Sequence, residues 1–262
     1  MKASNIKNPL FGAAFLVYCF LWIPAGLLIL YSFSNNRFGI KWEGFTLNWY
    51  FSLFKNPLIK EAILKSVIIA STTMVLATIA GTVTAYGLYK YKFHAKKLLR
   101  MSILLPIVIP YVVTGASLLV FFTRAIQIPL GYTSIIIAHV TFSTPLAVFV
   151  VMGRMQRMDW AWEEAAMDLG ANRLTTWRKI TVPFLLPAVI SSAVLIFPWS
   201  FNDFTITYFV AGLGTTTLPI YIFSQLQYSL EPVIINVSST IFVVIPLIGL
   251  FLMNLLLGER QK

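Results

Sequence analysis

Charged residues are scarce in this 262-residue sequence, where Asp, Glu, Lys and Arg together make up only 11%. A soluble domain usually carries about 25% charged residues to cover its surface. Hydrophobic residues make up 58%, and the mean hydropathy is +0.80. The shortage of charge therefore excludes an ordinary soluble domain and indicates an integral membrane protein.

Residues for catalysis, metal binding and nucleotide binding are also missing. The single cysteine, Cys19, can form neither an internal disulfide nor a metal cluster, and His94 and His139 are far apart. No nucleophile and base have a spacing typical of hydrolases. The phosphate-binding pattern G-x-x-x-x-G-K-[ST] is absent. We therefore predict no catalytic residue, metal ligand or cofactor in this chain.

Six apolar runs are long enough to cross a bilayer, for which about 20 residues suffice. They are residues 11–33, 66–88, 98–122, 133–152, 184–210 and 237–257. With the N-terminus inside the cell, fourteen Lys and Arg residues fall in inside segments and five in outside segments. Because basic residues accumulate on the cytoplasmic side, we expect both termini in the cytoplasm. This distribution explains the net charge of +11 without nucleic acid as a partner.

Small residues and prolines interrupt the apolar runs. Ala77, Gly81 and Ala85 recur every four residues, a spacing that lets two membrane helices approach closely. Kinks are expected at Pro106, Pro110, Pro145 and Pro198. A kink frees a backbone carbonyl, which protein or a water-lined cavity must satisfy.

Asp203 is the one acidic residue inside a predicted span, where a charge near the bilayer centre is costly. In a continuous helix from Phe184, it would lie about 28 Å along the axis and past the midplane. It would share a polar face with Ser192, Trp199, Ser200 and Thr207. Two interpretations remain open: a structural carboxylate paired with a neighbouring helix, or a pathway residue that meets a cation.

The longest polar segment, residues 153–182, lies inside the cell in this topology and predicts two short helices. Asp159 and Gly170 are the candidate caps of the first helix. Asn172 is the candidate cap of the second, which runs to Ile180. An apolar stripe at helical spacing would let the first helix dock into a groove of another protein, although a solvated loop helix has the same pattern.

The sequence Glu164-Ala165-Ala166, with Gly170, Ile180 and Pro183 after it, resembles the EAA loop of bacterial ABC importer permeases. Val182 departs from the leucine that is usual in that family. The resemblance implies an all-α integral membrane protein with six transmembrane helices, the type I ABC importer permease fold, and short cytoplasmic coupling helices that seat on an ATPase. The coupling residues that it implies are Trp162, Glu163, Glu164, Ala165, Ala166, Asp168, Leu169, Gly170, Ile180 and Pro183.

The first outer loop, residues 32–50, and the segment from His139 to Pro145 are similar to the permeases of spermidine/putrescine importers. A cationic cargo would account for Asp203. The predicted pathway residues are Asp203, Trp199, Asn202, Thr207, Tyr208 and Tyr221. Polyamine permeases often carry a second acid where this chain has Asn202, which leaves open how many ammonium groups are met.

The resemblance also implies the domain organisation and the partners. Residues 1–64 would form an N-terminal transmembrane helix and the first external loop, and residues 65–262 the permease core with the EAA loop at about 157–183. The partners would be two ATPase subunits that hold ATP and Mg²⁺, a second related permease subunit, and an extracytoplasmic solute-binding protein. The assembly would lie in the bacterial inner membrane.

Two other functions stay open. An ABC permease for a sugar, thiamine, iron or phosphate would share the EAA loop. An ion-coupled secondary transporter would instead use Asp203 and His139 as proton or sodium groups, although a hydrogen-bonded packing role is favoured for His139. Gradient-driven uptake by this chain alone would distinguish the secondary transporter from the ABC class.

Overall fold

The computed structural model describes residues 7–38, 41–228 and 232–258. The helices are α1 (Lys7–Ser32), α2 (Asn48–Lys55), α3 (Pro57–Lys90), α4 (Lys96–Val108), α5 (Tyr111–Val120), α6 (Tyr132–Met155), α7 (Ala161–Asp168), α8 (Arg173–Thr176), α9 (Val182–Phe201), α10 (Thr205–Val210), α11 (Leu218–Tyr228) and α12 (Pro232–Gly258). π-Helical turns extend α5 at Phe121–Ala125 and α8 at Trp177–Thr181. Lys2, Arg260 and Lys262, which support the predicted orientation, lie outside the described residues.

Four helices of the described chain are long and apolar enough to cross a membrane: Phe11–Ser32, Pro57–Lys90, Tyr132–Met155 and Arg173–Phe201. The pair Lys96–Val108 and Tyr111–Ala125 meets the same criterion together, although its halves are bent by 109°. The segment Val233–Gly249 of α12 is apolar but shorter. The protein is thus all-helical, with four spans by length and composition, or five if the bent pair is one span.

The third predicted span is not one kinked helix. α4 ends just before Ile109 and Pro110, whose ψ angles of 131° and 136° are extended. Pro110 has no N–H to continue the helical ladder, and its ring disfavours the helical conformation of the residue before it. The other three prolines, Pro106, Pro145 and Pro198, lie within α4, α6 and α9.

The fifth predicted span is broken as well. α9 ends at Phe201 and α10 begins at Thr205, so Asp203 lies in the gap between two helices. The Asp203 carboxylate accepts the N–H of Thr207 in the first turn of α10, at 2.8 Å. Such local side-chain bonds compete with a continuous helix. The prediction of an unbroken helix through Asp203 is therefore wrong.

The chain divides into two compact units, Met1–Lys60 with Tyr221–Val244 and Glu61–Ile220 with Ile245–Lys262. In the first unit, the Phe33 ring stacks between Phe45 and Tyr50, with centroids at 5.5 and 5.1 Å. A single antiparallel bridge joins Ser34 to Phe45. Aromatic stacking and this bridge hold the loop between α1 and α2 together.

In the second unit, small residues bring α3 and α6 together. A Cβ built on Gly81 would lie 2.3 Å from the Cβ of Ala147. Ala77 and Ala85, on the same side of α3, are fully buried. Ala77 and Ala147 share a cluster with Ile196 of α9. The close helix approach predicted from the small residues is confirmed.

Candidate functional site

The Asp203 carboxylate is held in the gap between α9 and α10 through one of its two oxygens. Oδ2 accepts the N–H of Thr207 at 2.8 Å and the Thr207 hydroxyl at 2.9 Å, and it lies 3.4 Å from Nε2 of His139. Among the described residues, all of these contacts use Oδ2, which leaves Oδ1 without a protein donor. The residue is 8% exposed, so a carboxylate oxygen with free acceptor capacity is kept in a mostly buried position.

His139 of α6 bridges the two sides of this gap. Its Nδ1 lies 2.7 Å from the hydroxyl of Ser200, in the last turn of α9, and its Nε2 lies 2.9 Å from the hydroxyl of Thr207 in α10. The imidazole is 1% exposed. His139 is thus buried and hydrogen-bonded, as its predicted packing role requires.

Aromatic residues flank Asp203 in the chain on both sides of the gap. Trp199 and Tyr208 are about half exposed, and Asn202 is exposed. A cavity of about 380 Å³ at the α4–α5 bend is lined in part by Trp199, Tyr111 and Phe142. Tyr111 lines this cavity but is not among the pathway residues predicted from the sequence. Its position directly after Pro110, where a kink was predicted, could have pointed to it. An exposed aromatic surface therefore adjoins the buried polar cluster.

The six predicted pathway residues are thus not equivalent. Asp203 and Thr207 contact each other and are buried, whereas Trp199, Asn202 and Tyr208 are exposed next to them in the chain. Tyr221 is buried in α11, in the first unit. Five of the six lie at or near the break between α9 and α10.

The polar loop after α6 folds into the two predicted helices, with two of the three predicted caps. Asn172 accepts the N–H of Thr175 at 2.8 Å and caps α8. Gly170 follows the end of α7 with a φ of +90°, a conformation that favours glycine. The N-cap of α7 is Trp160 rather than Asp159, so that prediction is wrong by one residue. Asp159 still accepts the N–H of Ala161, the first residue of α7, at 3.0 Å.

The adjacent glutamates of α7 point in different directions. Glu163 is 4% exposed and accepts hydrogen bonds from the Lys90 ammonium, at 2.5 Å, and from the Thr181 hydroxyl. Glu164 is exposed. Glu163 therefore ties α7 to the end of α3 and to the segment that leads into α9, while Glu164 is available to a partner.

The loop exposes large apolar side chains among its polar ones. Trp162 and Leu169 are 50% and 89% exposed. The remaining predicted coupling residues divide into exposed Ala165, Asp168, Gly170 and Pro183 and half-buried Ala166 and Ile180. Large exposed apolar side chains on a polar loop are typical of an interaction site.

A groove with a volume of about 790 Å³ lies beside this loop, between the end of α3 and the helices α7 and α8. Lys90, Trp160, Glu163, Glu164 and Trp177 are among the residues that line it. The Lys90 ammonium lies 5.5 Å from the centroid of the Trp160 ring, within cation–π range. The lining thus combines aromatic faces with charges of both signs.

Curated relatives align with nearly the whole chain. It is 38% identical to the "Spermidine/putrescine transport system permease protein PotC" of Haemophilus influenzae over 247 residues, which are 94% of this chain and 95% of that protein. It is 35% identical to the "Putrescine transport system permease protein PotI" of Escherichia coli K12 over 251 residues, which are 94% and 89% of the two chains.

A solved structure shows the same fold at low identity. A chain of a bacterial ABC transporter involved in the import of the acidic polysaccharide alginate superposes with a TM-score of 0.76 at 15% identity, over 98% of both chains. Residues 74–258 match the family described as "Binding-protein-dependent transport system inner membrane component". The chain therefore belongs to this family of inner-membrane permease components of ABC importers.

Proposed function

We propose that the chain is a polyamine permease subunit that forms half of the pathway of an ATP-driven importer. The relatives named for spermidine and putrescine support this substrate class, since they align over 94% of the chain. A second permease would supply the other half, and a binding protein would deliver the cargo. Six spans, built from the four long helices, the bent pair and α12, would place both termini in the cytoplasm.

The observation that carries the substrate class is the half-engaged carboxylate of Asp203. Oδ2 is occupied by the protein, while Oδ1 can accept a hydrogen bond from an ammonium group. Trp199 and Tyr208, which are about half exposed and lie within five residues of Asp203, would add cation–π attraction for an ammonium group. A carboxylate beside aromatic rings fits a cationic chain better than it fits a sugar or a phosphate.

Coupling to ATP hydrolysis would take place at the loop after α6. We assign α7 and α8 as coupling helices, with Trp162, Glu164 and Leu169 on the surface that meets the ATPase. Their exposure supports this assignment, as does the internal anchoring of Glu163. ATP and Mg²⁺ would be held by the two ATPase subunits.

Asp203→Asn tests the pathway in the reconstituted importer. The asparagine oxygen can still accept the Thr207 N–H, so the gap is preserved while the negative charge is lost. A hydrogen bond to a charged group is worth about 1.5–3 kcal/mol. We therefore expect the polyamine concentration for half-maximal uptake to rise roughly tenfold or more. Glu43→Gln, which removes an exposed outer carboxylate, is the control.

Wild-type uptake by Asp203→Asn in a correctly assembled complex would show that the carboxylate is structural. The energy source is tested separately, by vanadate. Uptake that needs the ATPase and is blocked by vanadate supports the ABC assignment. Gradient-driven uptake by this chain alone would instead identify an ion-coupled carrier.

A further inference from the structure

Residues 202–204, between α9 and α10, are held by bonds to residues close in sequence. The Asn202 N–H bonds the Pro198 carbonyl at 3.0 Å, and the Asp203 N–H lies 3.4 Å from the Ser200 carbonyl. On the α10 side, the Tyr208 N–H bonds the Phe204 carbonyl at 2.8 Å, and Thr207 bonds the Asp203 carboxylate. All of these bonds are local, so a contact from another helix would further fix the angle between α9 and α10.

We infer that His139 is a positioning residue that clasps the α9–α10 break and thereby sets the direction in which Asp203 Oδ1 faces. The imidazole contacts Ser200 on one side of the break and Thr207 on the other, at 2.7 and 2.9 Å. α6, which carries the imidazole, packs against both α9 and α10. No other described side chain is hydrogen-bonded to both sides of the gap. The inference rests on the proposed pathway role of Asp203.

The chemistry of the contact suits a clasp. In a neutral imidazole one ring nitrogen donates and the other accepts, and hydroxyl groups can do either. The Thr207 hydroxyl donates its one hydrogen to Asp203, so it can only accept from the ring, and Nε2 carries the ring hydrogen. Nδ1 then accepts the hydroxyl hydrogen of Ser200. Because the ring is 1% exposed, water cannot replace a lost partner without opening the cluster.

Aromatic packing also holds the His139 ring in place. The His139 ring lies 5.0 Å from the ring of Phe142, one turn along α6, and Phe142 is 5.8 Å from Tyr111 of α5. The imidazole thus cannot swing toward the α4–α5 bend without displacing Phe142. Its position is set by rigid elements, which is what a positioning residue requires.

Hydrogen exchange in the reconstituted complex tests the clasp directly. His139→Ala is expected to speed amide exchange at residues 202–207 by about tenfold, as for the loss of one buried hydrogen bond. The half-saturating polyamine concentration should rise while uptake at saturation changes less. Thr141→Val is the matched control, because the Thr141 hydroxyl on the same helix bonds only the carbonyl of Ile137 among the described residues.

Two conservative variants separate the sides of the clasp. Asparagine can place a nitrogen or oxygen near the Nδ1 position, and glutamine near the Nε2 position. His139→Asn should therefore keep the Ser200 contact, and His139→Gln should keep the Thr207 contact. Adding Ser200→Ala should then change exchange in His139→Asn but not in His139→Gln.

Unchanged exchange at residues 202–207 in His139→Ala would overturn the inference. Faster exchange of every helix alike would also overturn it, because that result describes general packing rather than a clasp. If Asp203→Asn leaves uptake unchanged while His139→Ala loosens only residues 202–207, the clasp is supported and the proposed cargo contact fails.

Discussion

Replacing Glu163 with glutamine should weaken the internal anchor of the loop after α6. The carboxylate accepts the Lys90 ammonium at 2.5 Å and the Thr181 hydroxyl, so it connects α7 to α3 and to the start of α9. The amide has the same shape but no charge. The two donors use different carboxylate oxygens, so the single amide oxygen can keep only the Thr181 hydroxyl, and the hydrogen bond from Lys90 is lost.

The magnitude follows from the burial of the two partners. Glu163 is 4% exposed, whereas the Lys90 side chain is 33% exposed and can be solvated when its partner is neutral. A charged hydrogen bond contributes about 1.5–3 kcal/mol, and the lower end applies to such a half-open pair. The Thr181 hydroxyl can still donate to the amide oxygen. We expect Glu163→Gln to lower stability by about 1.5 kcal/mol.

Glu163→Ala removes both hydrogen bonds and should cost about twice as much, roughly 3 kcal/mol. The assay is the thermal midpoint of the purified complex, together with the number of ATP molecules hydrolysed per polyamine imported. Both Glu163 variants should lower the midpoint and raise that number. Glu164→Gln, at the exposed neighbour, should change stability by less than about 0.5 kcal/mol and affect coupling only.

Equal midpoints for Glu163→Gln and the wild type would refute this reasoning, because the buried pair would then contribute nothing. The reasoning would also be refuted if the double variant Lys90→Met with Glu163→Gln lowered the midpoint by the sum of the two single effects. Residues in direct contact should be non-additive.

Two glycines give further tests. Gly81→Ala should destabilise the protein by about 1–3 kcal/mol, because the new Cβ would lie 2.3 Å from that of Ala147. Gly87→Ala, on the same helix with no atom within 4 Å of the new Cβ, should be neutral or stabilising; equal midpoints for the two would contradict the packing. Gly170→Pro should uncouple ATP hydrolysis from uptake while the protein still inserts, since a φ of +90° is inaccessible to proline. Normal coupling in that variant would remove Gly170 from the docking surface.

Features that depend on nearby residues could be predicted from the sequence. The caps at Gly170 and Asn172 are bonds or conformations within one helical turn, and the predicted start of α7 at Asp159 is one residue from the observed N-cap, Trp160. The small-residue stripe of α3 was predictable for the same reason, because its spacing alone places it on one side of the helix.

Features that depend on residues far apart in the sequence could not be predicted from it. Glu163 and Glu164 are adjacent residues of the same type. They differ because Glu163 pairs with Lys90, which lies 73 positions earlier in the sequence. The break at Asp203 involves His139, which lies 61 positions before Ser200. Hydropathy alone favours one continuous span there, because it takes no account of the local bonds from Thr207 to Asp203 or of the contacts from His139 on another helix.

The interlock at Gly81 restricts how the second unit can deform. Because the Ala147 side chain of α6 packs against the backbone of Gly81, α3 cannot slide along α6 without first separating from it. A movement that reaches Lys90 through Glu163 must then displace α3 and α6 together. Residues 109–110 and 202–204, which lie between helices, are the positions at which the chain can accommodate such a movement.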